Sequence, residues 1–335
     1  MTGPTVLVTG GAGYIGSHAV LALRDSCRDV VVVDNLSTGV REALPHDVPF
    51  HLGEVADAAL MGKVLREHDI GTVMHFAGSI SVPESGADPL KYYRNNTCAS
   101  LSLARSCVDA GVDKLIFSST AAVYGTPEAS PVREDSATRP INPYGASKLM
   151  TETMLRDLAA SRPSFRPVCL RYFNVAGADP QGRSGQRDPK STGLVPAAVA
   201  AALGHGALAI MGRDYDTRDG TCERDYIHVS DLAQAHLAAL VYLEAGGGPK
   251  VINCGYGSGY TVLEVIAALE SILGREIAKR NAARRPGDTV SAVSDTSLMK
   301  ATLDWRPRYD SLDVILKSAL AWRERLPSAA DAADR

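Results

Sequence analysis

Cysteines are few in this 335-residue chain, and they are not grouped. The six of them lie far apart and form no Cys-x-x-Cys pair, the spacing that zinc sites and thioredoxin-like redox centres use. A disulfide framework is therefore not expected to hold this fold together. We expect the reduced thiols of a cytoplasmic protein.

Long apolar runs and an excess of positive charge are also lacking. No apolar stretch approaches the roughly 18 residues of a membrane-spanning helix, and no basic segment with an apolar core precedes the first strand-like run at Thr5. Neither a membrane anchor nor a secretory leader is therefore expected. The net charge of −3 provides no basic surface for nucleic acid. His228, Asp231 and His236 suggest a metal site, but Asp231 is expected to begin a helix over Leu232–Leu243, so no metal is predicted.

Short β-rich runs alternate with helical stretches in the first half of the chain. Most of the runs are unbroken apolar segments, typical of strands covered on both faces of a parallel sheet. They are Val6–Thr9, Val30–Val33, Thr72–Phe76, Lys114–Ser118 and Val168–Tyr172. Helical spacing is found over Ile15–Arg24, Leu60–Glu67, Thr97–Ala110 and Gly145–Ala160. The alternation predicts an α/β fold with a doubly wound parallel sheet of the Rossmann type.

The pattern changes after Asn174. Residues 177–193 are rich in glycine, proline and charge, which predicts a long loop. Mixed helical and short strand patterns follow, with Val251–Cys254 expected to return to the main sheet. We predict a nucleotide-binding domain over 1–173 with a return around 224–255, and a smaller, discontinuous substrate domain over 174–223 and 256–335.

A glycine-rich turn joins the first strand to the first helix. Gly10, Gly13 and Gly16 permit a tight turn and close approach of a pyrophosphate, which the helix N-terminus then binds with its N–H groups. The next strand ends in Asp34, where an acid hydrogen-bonds the adenosine ribose and repels a 2′-phosphate, which favours NAD over NADP. The segment that follows can hold ribose and phosphate; it comprises Asn35, Leu36, Ser37, Thr38 and Gly39.

A candidate chemical site lies at the start of a later helix. Tyr144 and Lys148 are four residues apart, so both side chains lie on one helix face. A neighbouring cation is expected to lower the pKa of the phenol, which makes Tyr144 a candidate acid/base. Thr120 follows a strand upstream and can hydrogen-bond the same substrate oxygen.

Taken together, these motifs resemble the extended short-chain dehydrogenases/reductases, and within them the UDP-glucose 4-epimerases. The similar stretches span nearly the whole chain: VTGGAGYIGSH, VVDNLSTG, VMHFAG, YYRNN, FSSTAAVYG, NPYGASK, LRYFNVAGADP, DGTCERDYIHVSDLA and RRPGD. The resemblance implies bound NAD and exchange of UDP-glucose with UDP-galactose through a 4-keto sugar. It also implies a homodimer formed through helices 97–110 and 145–160, and most closely a bacterial enzyme feeding exopolysaccharide synthesis.

The resemblance also implies ligand-binding roles for residues that no motif singles out. Those implied at the cofactor are Tyr14, Ile15, Glu54, Val55, Phe76, Ala77, Gly78, Asn95 and Phe173. Tyr144 and Lys148 are also implied there, with Lys148 holding the ribose. Those implied around the UDP-sugar are Asn174, Leu194, Leu208, Ile210, Met211, Arg224, Arg285 and Asp288. Ala292 stands where narrow epimerases carry a tyrosine beside the sugar C2, so an N-acetyl group is expected to fit.

Some positions depart from the family pattern without touching the hydride-transfer residues. Glu54 replaces an aspartate at the adenine, Gly193 replaces an asparagine at the phosphates, and Met211 replaces a ring near uracil. Ile80 replaces a lysine near the cofactor, and Glu223 adds a negative charge beside Arg224.

Two other classes of function remain open from the sequence. Sugar-nucleotide 4,6-dehydratases and UDP-glucuronate decarboxylases use acid/base groups directly after the threonine, where this chain has Ala121 and Ala122. A non-catalytic NAD-binding sensor of the same fold typically lacks the tyrosine or the lysine, and this chain has both.

Overall fold

The computed structural model describes residues 3–188, 191, 193–285 and 287–326. The strands are β1 Thr5–Thr9, β2 Val30–Asp34, β3 Phe50–Leu52, β4 Ile70–His75, β5 Lys114–Thr120, β6 Arg166–Tyr172, β7 Asn174–Ala176, β8 Leu208–Met211, β9 Glu223–His228, β10 Lys250–Cys254, β11 Gly259–Thr261, β12 Lys279–Ala282 and β13 Ser291–Ala292. The helices are α1 Tyr14–Asp25, α2 Ala58–Glu67, α3 Val82–Ala87, α4 Pro89–Tyr92, α5 Ala99–Ala110, α6 Pro143–Ser161, α7 Leu194–Ala202, α8 Val229–Glu244, α9 Val262–Leu273, α10 Ser297–Thr302 and α11 Leu312–Arg325.

Seven strands form one parallel sheet in the order β10-β6-β5-β4-β1-β2-β3. The order reverses between β1 and β4, and ligands of open α/β sheets bind beyond the carboxyl ends of strands at such a reversal. The predicted doubly wound fold is confirmed. The return of residues 251–254 to the sheet is also confirmed, because β10 pairs with β6.

Both faces of the large sheet are covered, which explains the unbroken apolar strands. All five residues of β2 are buried. Val30 and Val32 belong to a core with α8, and Val31 and Val33 belong to a second core with α2 and α5. Alternate residues of one strand thus face two different helical layers.

Short strands form a second, smaller β-structure. β9 lies between β11 and β13 and also pairs with β7, while β8 pairs separately with β12. Helices α7, α9 and α11 contribute Val199, Val265 and Ile315 to a core of their own. The chain segments that build this region come from both sides of the return strand, but the predicted domain boundaries stay a prediction.

Two local features differ from the sequence-based expectation or extend it. A π-helical segment, Tyr93–Cys98, precedes α5, where the helical pattern was expected to begin at Thr97. The expectation that Asp231 begins a helix is wrong: α8 starts at Val229 with His228 as its N-cap. The reason is that His228 Nδ1 accepts the Ser230 N–H, which leaves the Asp231 carboxylate to accept the N–H groups of Arg308 and Tyr309.

The described part of residues 177–193 contains an isolated bridge but no helix or strand; residues 189, 190 and 192 lie outside the described residues. No helix among the described residues is long and apolar enough to cross a membrane. Within the same residues, no three His, Cys, Asp or Glu side chains are grouped as a metal site would require.

Candidate active site

The glycine turn after β1 is closed to side chains. Gly10 has φ +70°, and a Cβ there would lie 2.8 Å from the Ala77 Cα. A Cβ on Gly16 would lie 2.8 Å from the Gly11 Cα. Gly13 caps α1 in an extended conformation, so the first N–H groups of the helix point at the turn. The turn therefore has the shape and the donors for a pyrophosphate.

Asp34 lies at the carboxyl end of β2 beside this turn and is buried. Its Oδ2 accepts the Ala12 N–H at 2.9 Å, and its Oδ1 accepts the Leu36 N–H at 2.8 Å. A carboxylate oxygen can accept two hydrogen bonds, so each still has a lone pair for a ribose hydroxyl.

The segment after Asp34 folds back on the glycine turn. Asn35 Oδ1 accepts the Ser37 N–H at 3.0 Å, and its Nδ2 donates to Glu54 Oε1 at 3.0 Å. Ser37 and Thr38 are exposed, whereas a Cβ on Gly39 would lie 2.7 Å from the Ala12 carbonyl carbon. Glu54 is exposed at the rim and Val55 is buried, so the longer Glu54 side chain has Asn35 as its partner.

Tyr144 and Lys148 both lie on α6, next to the end of β5. Tyr144 is in the first turn and hydrogen-bonds Thr120, the last residue of β5. Thr120 Oγ1 also accepts the Ala122 N–H at 3.1 Å, which orients its hydroxyl. The Tyr92 ring meets the Tyr144 ring edge-on at 6.4 Å. The structure thus brings the three predicted residues together at the carboxyl edge of the sheet.

Lys148 is 2% exposed. Its Nζ donates to the Ser118 carbonyl oxygen at 2.9 Å and lies 4.9 Å from the centre of the Phe117 ring. Burial lowers the pKa of Lys148 to about 8, with Glu152 opposing that change. The ammonium is thus present at neutral pH but close to its titration range.

The pKa of Tyr144 moves in the opposite direction from the one predicted. Burial raises it, and the Thr120 hydrogen bond only partly offsets the rise. The sequence-based prediction took account only of the neighbouring cation, whereas the largest effect in the structure is burial of the phenol, which disfavours the charged phenolate. Protonated Tyr144 is therefore the resting form at neutral pH.

The residues expected at the cofactor's other end lie around the same edge. Phe76 packs on the His236 ring at 4.7 Å, and Ala77 and Gly78 follow it out of β4. Asn95 Nδ2 donates to Ser79 Oγ at 3.2 Å. Two residues expected at the pyrophosphate turn their side chains away: the Tyr14 hydroxyl donates to the Gly177 carbonyl at 2.7 Å, and Ile15 packs on the core. Any contact they make there is by the backbone.

Arg224, which was expected beside the UDP moiety, lies on β9. Its Nη2 donates to Asp288 Oδ1 at 2.9 Å. The Glu223 carboxylate does not pair with Arg224, because it pairs with Arg218 and accepts the Ser291 hydroxyl at 2.7 Å. Only the Glu223 carbonyl oxygen accepts from Arg224 Nη1, at 2.8 Å. Side chains of adjacent residues in a strand point to opposite faces, which separates the two.

The β11-β9-β13 sheet places three residues in one row. Tyr260 lies opposite Arg224 on one side, and Ala292 lies opposite it on the other. Residues directly opposite each other in neighbouring strands share a face. Ala292 therefore presents only a methyl group beside Arg224, and Tyr260 occupies the far side of that cation.

Other residues expected around the substrate divide into two groups. Leu208 and Ile210 are buried in the core of the smaller β-structure, because alternate residues of β8 point inward, so they offer a ligand only their backbone. Leu194 begins α7, Met211 and Phe173 are partly exposed, Asn174 begins β7, and Arg285 is exposed.

The sequence reasoning missed a set of buried polar residues behind the site. Glu152 and Arg171 form a buried ion pair at 2.6 Å. Asn96, not Asn95, is the buried asparagine: its Oδ1 accepts the Ser79 N–H, and its Nδ2 donates to Ser147 Oγ. The signal that was available was the spacing of Tyr144, Lys148 and Glu152 at i, i+4 and i+8.

The chain matches the model of the NAD dependent epimerase/dehydratase family over residues 6–255. It is 56% identical over 324 residues to the UDP-glucose 4-epimerase of Azospirillum brasilense, covering 96% of this chain and 93% of that protein. A similar solved structure is UDP-glucose-4-epimerase from Stenotrophomonas maltophila with bound NAD and formylated UDP-arabinopyranose. Its TM-score is 0.93 at 37% identity, covering 96% of this chain and 98% of that one. The UDP-Glc/GlcNAc 4-epimerase of Campylobacter jejuni has a TM-score of 0.85 at 44% identity, covering 97% and 100%.

Proposed function

The chain belongs to the NAD dependent epimerase/dehydratase family, and on that basis we propose that it interconverts UDP-glucose and UDP-galactose as an NAD-dependent 4-epimerase. The observation that carries this is the geometry of Thr120, Tyr144 and Lys148 beside the glycine turn. In this arrangement an acid/base group and a cofactor site lie at the same carboxyl edge of one sheet.

The residues of the cofactor site fit NAD. The turn at Gly10, Gly13 and Gly16 and the N-terminus of α1 receive the pyrophosphate, and Asp34 receives the adenosine ribose. Bound there, NAD supplies the acceptor and donor of the C4 hydride. Because the hydride returns to the sugar, no cofactor is consumed.

Tyr144 moves the proton of the reaction. Tyr144 acts from its phenolate form: as the C4 hydride leaves, the phenolate oxygen takes the proton of the sugar O4, and it returns that proton when the hydride comes back. Thr120 holds the same sugar oxygen. Lys148 lies one turn along the same face of α6, and its positive charge favours the phenolate form of Tyr144, which burial opposes.

The UDP moiety serves as the fixed anchor while the keto sugar presents its other face. Arg224 has the geometry for a diphosphate, and Asp288 orients its guanidinium. Arg285 is exposed, and its carbonyl oxygen accepts the Asp288 N–H at 3.2 Å. Binding energy from the non-reacting UDP then positions a sugar that stays free to rotate.

The neighbouring reactions of the family are not favoured. Dehydration and decarboxylation need acid/base groups directly after Thr120, and the 3₁₀ turn Ala121–Tyr124 places Ala121 and Ala122 there. Methyl groups transfer no protons. A non-catalytic sensor is not favoured either, because Tyr144 and Lys148 are both in place.

We extend the proposal to UDP-N-acetylhexosamines. The support is the row in which Ala292 lies beside Arg224, with Tyr260 on the far side. A methyl group leaves roughly the volume of a phenol free where a tyrosine would stand. Ala292→Tyr is expected to spare turnover of UDP-galactose and suppress that of UDP-N-acetylgalactosamine, which paired progress curves measure. Turnover of UDP-galactose without any on the N-acetylated sugar in the unaltered protein would refute this extension.

The remaining proposals concern the oligomeric state, the location in the cell and the pathway. We propose a homodimer through α5 and α6, where Leu101 is 56% and Met150 48% exposed. Large exposed apolar side chains on adjacent helices are typical of an interface. A cytoplasmic location, where NAD and UDP-sugars are made, and a role in exopolysaccharide synthesis rest on the resemblance alone.

One assay tests the proposed function. Purified protein is incubated with UDP-galactose, UDP-N-acetylgalactosamine or UDP-xylose, each without added NAD, and the products are separated chromatographically. We expect UDP-glucose from UDP-galactose with no net formation of NADH. Formation of a stable 4-keto-6-deoxy sugar, or no product while NAD stays bound, would contradict it in favour of a dehydratase or a sensor.

A further inference from the structure

Three consecutive residues of β5 hold three successive turns of α6. The Ser118 carbonyl accepts the Lys148 ammonium, the Ser119 hydroxyl donates to the Glu152 carboxylate, and Thr120 hydrogen-bonds Tyr144. On the helix these partners lie at i, i+4 and i+8 from Tyr144, so they share one face. Glu152 is therefore the inner end of the same row that contains the two catalytic side chains.

Glu152 is itself fixed from a third element. It is 5% exposed, and Arg171 of β6 donates to it through Nε at 2.9 Å and Nη2 at 2.6 Å. Arg171 Nη1 continues to the Tyr124 hydroxyl at 2.9 Å. A two-pronged arginine–carboxylate pair in a dry site defines both position and orientation. The carboxylate thus joins α6 to both β5 and β6.

Glu152 is also the anion that faces the buried ammonium. From β4, His75 faces Lys148, but burial and Lys148 lower the pKa of His75 to about 3, so this ring is neutral. Two further titratable groups belong to α6 itself. Tyr144 is protonated and so carries no charge, whereas the Glu152 carboxylate opposes the loss of the Lys148 proton. Arg171 lies behind Glu152 and is paired with it.

We propose that Glu152 is a positioning residue of the catalytic site, whose carboxylate fixes α6 against the end of β5 and keeps Lys148 charged during turnover. This inference rests on the proposed function for its meaning in catalysis. The role of Glu152 in the charge of Lys148, however, is measurable without substrate.

The first measurement follows Lys148 directly. The chain is labelled with ¹³C at lysine Cε, the Lys148 resonance is assigned by its loss in Lys148→Met, and its titration is compared between Glu152→Gln and the unaltered protein. We expect the midpoint to move to lower pH by about 1, the usual effect of one nearby charge. Glu244→Gln is the control. Glu244 is the last residue of α8 and accepts two hydrogen bonds from Arg28, as Glu152 does from Arg171. This variant should leave the Lys148 midpoint unchanged.

The second measurement is the pH profile of kcat. We expect its alkaline limb to move to lower pH in Glu152→Gln by the same amount, with KM for UDP-galactose little changed. A merely structural role would lower kcat at every pH and leave the limb in place. An unmoved Lys148 midpoint in the folded variant overturns the inference.

Removing one partner of a buried ion pair is strongly destabilising. If Glu152→Gln does not fold, the double variant Glu152→Gln with Arg171→Met takes its place, since it leaves no unpaired charge. In the double variant, a shift of the Lys148 midpoint to lower pH supports the inference, and an unshifted midpoint refutes it. The shift should be smaller than in the single variant, because the Arg171 cation is also gone. If the unaltered protein turns over no UDP-galactose, the proposed function fails, while the lysine titration still decides the role of Glu152.

Discussion

Replacing Gly10 with alanine tests whether the glycine turn is as tightly closed as the structure shows. Gly10 has φ +70°, and an added Cβ would lie 2.5 Å from the Ala77 backbone nitrogen and 2.8 Å from its Cα. The left-handed conformation costs a non-glycine residue about 1–2 kcal/mol. Overpacking against atoms that cannot rotate away costs about a further 1–3 kcal/mol. We expect a loss of stability of about 2–5 kcal/mol in total.

Gly111→Ala separates these two costs. Gly111 also has a left-handed φ of +77°, at the C-cap of α5, but an added Cβ meets nothing within 4 Å. Only the conformational cost of about 1–2 kcal/mol should remain. Denaturant unfolding of both variants, with the NAD content of each after purification, gives the comparison. Equal stability of the two variants, with NAD retained in both, would refute the close approach of Gly10 to Ala77.

Three further outcomes are expected. Tyr144→Phe should lower kcat by about 10² to 10⁴ while NAD still binds, because only the proton-transfer group is lost; near-normal kcat would contradict its role. Arg224→Met should raise KM for UDP-galactose more than it lowers kcat, because it removes an anchor distant from C4, and an effect confined to kcat would argue against that. Stability should fall as the pH drops from about 6.5 towards 4, as thermal unfolding in a pH series would show. The cause is burial, which lowers the pKa of His18, His228 and His236 to about 4 and that of His75 to about 3. The unfolded chain therefore binds more protons than the folded one in that pH window. The free energy of unfolding falls by about 1.4 kcal/mol per pH unit for each ring. Replacing His236 with phenylalanine should flatten the dependence, and an unchanged slope would exclude that ring.

Features that depend on a few neighbouring residues could be predicted from the sequence. The unbroken valines of β2 predicted a strand covered on both faces, and all of them are buried. The same reason made three other features predictable: the glycine turn, the acid at the end of β2, and the i, i+4 spacing of Tyr144 and Lys148. Each depends on a repeat or a turn that a few consecutive residues define.

Contacts between distant residues depended on the tertiary structure. Arg224 and Asp288 are 64 residues apart in sequence, and Glu152 meets Arg171 only because β6 lies beside β5 and both lie under α6. The alternation of β8 decides that Leu208 and Ile210 face a core. No local pattern states which strand lies next to which.

The pKa of Tyr144 shows the physical reason most clearly. The sequence places a cation one helical turn away and so indicates a lowered pKa, but the structure buries the phenol and raises it. Charge is a property of residue types and is visible in a sequence. Desolvation depends on every element that packs around the group, so its size and even the sign of the net effect are decided only when the chain has folded.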